Sequence, residues 1–227
     1  MADLIITIDG PAASGKSTVA RLLAEKLNAS FLDTGAMYRA VTLAAMQAGA
    51  NLKDQRQLLE VLQTARFDFT EQGGKTVIHL NGADVTEQIR NPVVTADAKF
   101  IADAPKMREK LVQMQRGFAD SRCRIVTEGR DQGTVAFPDA AVKFYLIAGL
   151  DERARRRQAE LEAKGMYQTL EQIRKAIEER DANDQGRAVG ALRPADDAVA
   201  VDTTELSIEQ VVEKLYACVK ERCPNVE

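Results

Sequence analysis

The sequence predicts an α/β fold in which a central parallel sheet carries helices on both faces. Short apolar runs, typical of buried parallel strands, alternate along the chain with longer runs of helical periodicity. A glycine-rich segment separates the first of these strands from the first helix. Charged or glycine-rich residues follow later strands, at the sheet edge where α/β proteins place their sites. Together these features indicate a three-layer domain.

The first part of the chain predicts one strand and three helices. Residues 4–8 form an Ile-rich run bounded by turn-forming residues, so we expect a buried strand there. Residues 17–27 carry apolar side chains at helical spacing. Two further helical runs follow at residues 35–47 and 53–65.

The pattern then changes to antiparallel strands. Residues 67–70 and 76–80 alternate polar and apolar side chains on either side of a Gly73-Gly74 turn, and Asn81-Gly82 is a strong hairpin signal. We therefore predict an inserted antiparallel subdomain at residues 66–91, within a single domain formed by the whole chain, residues 1–227.

The second part of the chain returns to alternating helices and strands. Residues 92–119 predict two helices that meet at Pro105. Three more buried strands are predicted at residues 124–127, 142–147 and 198–201. Three more helices are predicted at residues 151–163, 170–181 and 207–221. We interpret the highly charged region 151–187 as a helical lid.

An excess of arginine over lysine accompanies a slightly acidic net charge. The formal charge is −3, yet 19 of the 31 basic residues are Arg and 12 are Lys. This charge excludes a uniformly basic surface for a nucleic-acid backbone, and the absence of Trp leaves little material for base stacking. Because Arg suits bidentate phosphate recognition, we expect some arginines to converge on an anion.

The remaining composition is typical of a globular intracellular protein. Hydrophobic residues make up 45% of the chain, enough for a core. Three cysteines without CxxC spacing predict neither a disulfide framework nor a cysteine-based zinc site. The amino-terminal residues do not resemble a signal peptide, and no apolar stretch approaches the ~20 residues of a membrane span. We expect a cytoplasmic monomer with no membrane or nucleic-acid partner.

The strongest motif is G-x-x-x-x-G-K-[ST], which stands between the first predicted strand and helix as a P-loop requires. Such a loop points successive backbone N–H groups at phosphate oxygens, and the following helix adds its positive end. Lys16 would reach the β- and γ-phosphates, and the Ser17 hydroxyl would hold Mg²⁺. The alternative is an accidental glycine-rich turn. The predicted ATP-binding residues of this P-loop NTPase fold are Gly10, Pro11, Ala12, Ala13, Ser14, Gly15, Lys16, Ser17 and Thr18.

Two further segments carry residues that could bind an acceptor. Asp33 and Thr34 precede a predicted helix that carries Arg39, and Thr34 is a candidate cap for that helix. The alternative is that Asp33 and Thr34 are only a capping pair and Arg39 a solvated charge. Arg130 and Asp131 follow a predicted strand. There Arg130 could bind a phosphate, and Asp131 could accept a hydrogen bond from a base or ribose. The alternative there is a surface turn stabilised by an Arg–Asp pair.

The third cluster lies in the predicted lid, and phosphoryl transfer needs cations that close over the transferred group. Arg180, Asp184 and Arg187 are spaced for one helical face, provided that the helix beginning near residue 170 extends to residue 187. A charge-dense hairpin is otherwise a solvated surface, and that is our interpretation of Arg155 and Arg156.

With these motifs in place, the sequence resembles the bacterial-type cytidylate (CMP) kinases of the nucleoside monophosphate kinase family. The segments that carry the resemblance span nearly the whole chain: ITIDGPAASGKST, LDTGAMYR, EGRDQGTVAFP, EERDANDQGR and DTTELSIEQV. The third is far more specific than the P-loop alone. The antiparallel insert is similar to the enlarged monophosphate-binding insert of these enzymes.

The resemblance implies phosphoryl transfer from ATP to CMP, and to dCMP, with Mg²⁺. It places the CMP phosphate on Arg39 and Arg130, and Thr34 and Asp33 in the same nucleotide site. It assigns recognition of the cytosine base to Arg108 and Asp131, and binding of the ribose hydroxyls to Asp184. Arg180 and Arg187 would meet the transferred phosphoryl group, and Arg153 and Arg157 would belong to the lid over ATP. The implied catalytic set is Lys16, Arg130, Arg157, Arg180 and Arg187.

Three positions depart from the family pattern. Lys99 stands where family members often carry a small serine that contacts the base, and this leaves a kinase for UMP or another small acceptor as an alternative. Glu128 and Asn183 stand where Asp and Arg are expected, which leaves both roles open. An alternative of another class is a nucleotide-binding switch without transfer, which would have no need of a second cluster of arginines.

Overall fold

The computed structural model describes residues 2–72 and 75–224, so the predicted Gly73-Gly74 turn lies outside the described residues. Within these ranges the strands are β1 (Leu4–Asp9), β2 (Ser30–Asp33), β3 (Phe67–Gln72), β4 (Lys75–Leu80), β5 (Ala83–Asp84), β6 (Arg124–Gly129), β7 (Val142–Ile147) and β8 (Val199–Asp202). The α-helices there are α1 (Lys16–Lys26), α2 (Thr34–Gln47), α3 (Gln55–Thr64), α4 (Pro92–Ala102), α5 (Pro105–Asp120), α6 (Leu150–Glu162), α7 (Leu170–Gln185) and α8 (Ile208–Arg222). None of these helices is both long enough and apolar enough to cross a membrane.

Five strands form a parallel sheet in the order β2-β6-β1-β7-β8. Asp9, the last residue of β1, is in register with Gly129 of β6, and Asp33, the last residue of β2, is in register with Glu128. The carboxyl ends of these three strands therefore meet at one sheet edge. The parallel sheet is confirmed, but β2 was not predicted, because its four residues include only two apolar side chains and no β-branched one.

Alternating side chains of the sheet enter two hydrophobic cores. Ile5 and Ile125 lie in a core shared with α2, α3, α4 and α5, whereas Ile6 and Val126 lie in a core shared with α1 and α8. Because successive side chains of a strand point to opposite faces, these two cores cover the two faces of the sheet. The predicted three-layer architecture is confirmed.

The strands β3, β4 and β5 form a separate antiparallel sheet. The hairpin between β4 and β5 turns at Asn81 and Gly82, whose φ angles are +52° and +85°. Ile78 and Leu80 are buried in the same core as α2, so this small sheet packs against the main domain.

The region predicted to be a lid forms a hairpin of α6 and α7, with a small core of its own around Ala154, Leu161, Ile173 and Ile177. Thr169 begins α7 with a capping box, and Gly186 ends it. Arg187 therefore lies beyond the helix, and the condition for a shared helical face with Arg180 and Asp184 is not met. Arg187 instead reaches back to Asp184 from the following turn.

Candidate active site

The P-loop connects β1 to α1 with an unusual backbone. Ala13 and Gly15 adopt left-handed φ angles of +58° and +87°, and α1 begins at Lys16. A Cβ atom at Gly10 would collide with the carbonyl oxygen of Leu146 in β7, so the close approach of loop and sheet requires glycine there. Left-handed residues in a turn direct successive N–H groups toward one centre, as an anion-binding loop requires.

Lys16 is buried within this loop. Its Nζ donates to the carbonyl oxygen of Pro11 at 2.6 Å and to Ser14 Oγ at 3.3 Å. Desolvation, and next the positive charge of Arg130, lower the pKa of the Lys16 ammonium to about 7. A polyanion bound nearby would offset these two effects, because it favours the charged form of the Lys16 ammonium.

Hydroxyl and carboxylate oxygens lie close together beside the P-loop, near the ends of β2 and β6. Ser17 Oγ donates to Glu128 Oε1 at 2.7 Å, and Thr34 Oγ1 donates to the carbonyl oxygen of Glu128 at 2.7 Å. Burial, and next the charge of Asp33, raise the pKa of the Glu128 carboxyl. Within the described ranges no three His, Cys, Asp or Glu side chains are grouped to hold a metal ion.

The cap of α2 is Asp33, because its Oδ1 accepts from the backbone N–H of Ala36 at 2.8 Å. The expectation that Thr34 caps this helix is therefore wrong. Arg39 is not a solvated charge either, since its guanidinium donates to Asp33 Oδ2 at 3.3 Å and its buried Nε makes no hydrogen bond in the described structure.

Arg130 and Asp131 point in different directions. Arg130 Nε donates to Asp184 Oδ2 at 2.7 Å, and Arg187 donates to Asp184 Oδ1 at 2.7 Å. Burial opposes the charge of Asp184, but Arg130 and Arg187 together lower its pKa. The interpretation of Arg130 and Asp131 as one surface ion pair is therefore wrong.

Asp131 forms a buried ion pair with Arg108 of α5. Arg108 also donates to the carbonyl oxygen of Ala102 at 3.1 Å and lies over the ring of Tyr38 at 5.6 Å. The segment after α7 covers this pair, because a Cβ atom at Gly190 would collide with both Arg108 and Asp131. Gly190 has a left-handed φ of +67°, which also favours glycine.

Asp9 holds the loop that carries Arg130, a role that the sequence analysis missed. Its two carboxylate oxygens accept from the backbone N–H groups of Gln132 at 2.9 Å and Gly133 at 2.8 Å. Burial raises the pKa of Asp9 to about 7, although both hydrogen bonds act to lower it. The sequence signal that could have indicated this role is the position of Asp9, an acidic residue directly after the predicted buried strand 4–8.

Three arginines of the predicted lid region have different surroundings. The Arg180 side chain is solvent-accessible. Desolvation by the protein around its guanidinium, and next the charge of Arg130, nevertheless lower its pKa to about 10. Arg157 is half-buried and pairs with Glu160 at 2.7 Å, and its charge is felt at Arg180. Arg153 is buried and bonds the backbone of the P-loop.

Three more of the positions singled out in the sequence remain: Lys99, Arg155 and Arg156. Lys99 is exposed on α4, with its ammonium 5.2 Å from the ring centre of Phe100. Arg156 is not a solvated charge as expected, because it donates to Thr203 Oγ1 at 3.1 Å. Arg155 is exposed and pairs with Glu152 at 2.6 Å, in agreement with the solvated interpretation.

The structure thus brings together a group of cations whose charges act on one another or on the shared carboxylate of Asp184. They lie at the end of the P-loop, on α2, in the loop after β6 and in the predicted lid region. They are Lys16, Arg39, Arg130, Arg157, Arg180 and Arg187. The profile of the cytidylate kinase family matches residues 6–221 of the chain.

This chain belongs to the cytidylate kinase family. It is 44% identical to cytidylate kinases of Bacillus cereus and Bacillus thuringiensis over 214 residues, which cover 94% of this chain and 95% of each relative. Among solved structures, it is similar to a gluconokinase from Sinorhizobium meliloti, with a TM-score of 0.48 and 16% identity over 98% of this chain and 95% of that one.

For this member of the cytidylate kinase family, we predict that ATP binding takes up protons at about pH 8. Lys16 is mostly deprotonated there because its pKa is lowered to about 7, and a bound triphosphate would raise that pKa. Calorimetric titration in buffers of different ionisation enthalpy measures the uptake. Lys16→Arg is the control, since its guanidinium stays protonated. The same uptake in both proteins would contradict the assignment.

Proposed function

We propose that this chain is a cytoplasmic, monomeric kinase that transfers the γ-phosphoryl group of ATP to CMP and dCMP. The observation that carries the proposal is a second cluster of cations within this group, Arg39, Arg130 and Arg187, which lies outside the P-loop and is paired with the carboxylates of Asp33 and Asp184. One anion site would suffice for a nucleotide-binding switch. Two anion sites of this kind are what a phosphoryl donor and a phosphorylated acceptor require.

In this proposal the P-loop holds the triphosphate of ATP. Its backbone N–H groups and Lys16 contact the phosphates, and the ordinary lysine charge is restored as the triphosphate binds. Because Lys16 is already buried and bonded to the loop itself, little reorganisation is needed to position its ammonium.

The acceptor phosphate would replace carboxylates as the partner of the second cluster. Arg39 and Arg130 are each bonded to an internal carboxylate, of Asp33 and Asp184 respectively. They would hold the CMP phosphate, whose oxygen attacks the γ-phosphorus while the bond to the β-phosphate oxygen breaks. The products are ADP and CDP. Arg157, Arg180 and Arg187 would stabilise the charge that spreads over the transferred group.

Arg108 and Asp131 would read the cytosine. Together they offer donors and an acceptor at one buried place, which suits a base edge that carries both kinds of group. Asp184 would receive the ribose hydroxyls. The base site is the part of the proposal that separates CMP from UMP, and Lys99 lies on the adjacent helix α4.

The residues present fit a bound Mg²⁺ ion. The Ser17 hydroxyl and the Glu128 carboxylate lie within one hydrogen bond of each other, and Asp33 faces Glu128 across the β2–β6 register. Oxygen donors of this type are the ligands that Mg²⁺ prefers. When bound, the ion would neutralise charge on the triphosphate oxygens.

The experiment that tests the proposal is a coupled assay of ADP release with CMP, dCMP, UMP, AMP and shikimate as acceptors. We expect CMP and dCMP to be used at least about 10²-fold more efficiently than AMP or shikimate, because the latter do not match the buried pair. UMP as the better acceptor would favour the alternative kinase, and absence of CMP-dependent turnover would refute the proposal.

Arg130→Ala should lower kcat/KM for CMP by about 10²-fold or more, because it removes a cation from the reacting phosphate and leaves Asp184 with one fewer partner. ATP affinity should change by less than about threefold. Steady-state kinetics and ATP titration measure the two effects. The control is Arg155→Ala, on the exposed side of the lid. Equal loss of CMP use and ATP affinity would be inconsistent with the role given to Arg130.

Gly190→Ala should raise the KM for CMP by about tenfold while the KM for ATP stays within about twofold. The added methyl group would displace the buried ion pair of Arg108 and Asp131. The matched control is Gly49→Ala, because Gly49 has nearly the same left-handed φ of +68° but no atoms within 4 Å of a Cβ. If both variants shift CMP kinetics alike, backbone strain and not the base site explains the effect.

A further inference from the structure

One residue of the P-loop is held on both sides by the lid hairpin. The backbone N–H of Ala12 donates to Asp181 Oδ1 of α7 at 3.0 Å. The carbonyl oxygen of the same residue accepts from Arg153 of α6 at 3.0 Å. Arg153 and Asp181 are in turn an ion pair. We call these three residues the lid clamp.

The lid clamp is buried and its polar groups are satisfied. Arg153 and Asp181 are each 8% exposed and Ala12 is 5% exposed. Arg153 Nε also donates to the carbonyl oxygen of Ala148, just after β7, at 3.0 Å. A buried charge is costly to leave without its partner, so the two helices and the loop are expected to keep one relative position.

The lid clamp joins two parts of the catalytic machinery. Asp181 is the neighbour of Arg180 on α7, and Ala12 stands four residues before Lys16 in the P-loop. The charge of Arg180 contributes to lowering the pKa of Lys16, so the two cations lie close enough to interact. The position of Ala12 relative to α7 therefore determines how Arg180 stands relative to the phosphates on the P-loop.

We propose that Arg153 and Asp181 are positioning residues that fix the distance between the lid arginines and the P-loop during phosphoryl transfer. This inference rests on the proposed function, because it assumes that Lys16 and Arg180 act on the same phosphoryl group. It also gives Arg153 a task other than ATP contact, since its guanidinium bonds Ala12, Ala148 and Asp181.

A misplaced Arg180 has a distinct kinetic consequence. Most residues proposed to bind CMP, such as Arg39 and Arg108, lie outside α6 and α7. Asp184 lies on α7 but is also held in place by Arg130 and Arg187. The transition state depends on the alignment of the lid cations with the transferred group, and a displacement of about 1 Å can cost about 10²-fold in rate. Loss of the clamp should therefore lower kcat far more than CMP affinity. Water should also reach the γ-phosphoryl group more easily.

The test is Asp181→Asn, which keeps the side-chain shape but removes the negative charge opposite Arg153. We expect kcat for CMP phosphorylation to fall at least about tenfold. The dissociation constant of CMP should stay within about twofold. The share of ATP that is hydrolysed without CMP should rise. The matched control is Glu178→Gln, an exposed carboxylate one turn earlier on α7, which should change none of these quantities.

A second variant, Arg153→Lys, keeps the charge but cannot make three hydrogen bonds in the same fork geometry, and the same three results are expected from it. It replaces Asp181→Asn if that protein does not fold. Thermal unfolding is measured for each variant. A lowered melting temperature with unchanged kcat for folded enzyme, or unchanged values throughout, would overturn the inference. Wild-type protein without CMP turnover would instead refute the proposed function, so the two failures are distinguishable.

Discussion

The structure depends on one electrostatic constraint, which is the free-energy cost of placing several positive charges close together. Burial, and next the charge of Arg130, lower the pKa of both Lys16 and Arg180. Burial opposes the charge of Arg130 as well, but Asp184 and Glu128 raise its pKa. Such a cluster is stable only when anions lie among its members. Within the protein that task falls to buried carboxylates, among which Asp184 accepts from two arginines at once. The same electrostatic demand would favour the binding of phosphates among these cations.

The parallel sheet determines where this cluster can form. β1, β2 and β6 end side by side, so the P-loop, the start of α2 and the loop with Arg130 all leave the sheet at one edge. The hairpin of α6 and α7 is bonded to the P-loop through Asp181 and Arg153, and it contributes Arg180 and Asp184. Buried acids then fix the loops: Asp9 holds the backbone after Arg130, and Asp181 holds the P-loop. The cations belong to distant parts of the sequence, and these buried hydrogen bonds hold the loops that carry them.

The sequence predicts the parts of this site that depend on local pattern. Apolar runs, helical periodicity and the P-loop spacing are local, so the three-layer fold and the ATP-binding segment could be predicted. Pairings across the fold could not. The partner of Arg130 is Asp184, 54 residues away, and nothing near either residue indicates it. Arg153 lies in a run of charges that is typical of a solvated helix face, yet it is buried. Strand β2 was missed because its short segment gains stability from its neighbours and not from its own composition.

The central claim is that Arg39 and Arg130 form the site of the acceptor phosphate. A crystal structure with CMP and a non-hydrolysable ATP analogue tests it most directly. The account predicts that the CMP phosphate lies within hydrogen-bond distance of Arg39 and Arg130, faces the γ-phosphate on the P-loop, and has its cytosine beside Arg108 and Asp131. CMP bound elsewhere, or with its phosphate turned away from Arg130, would contradict the account.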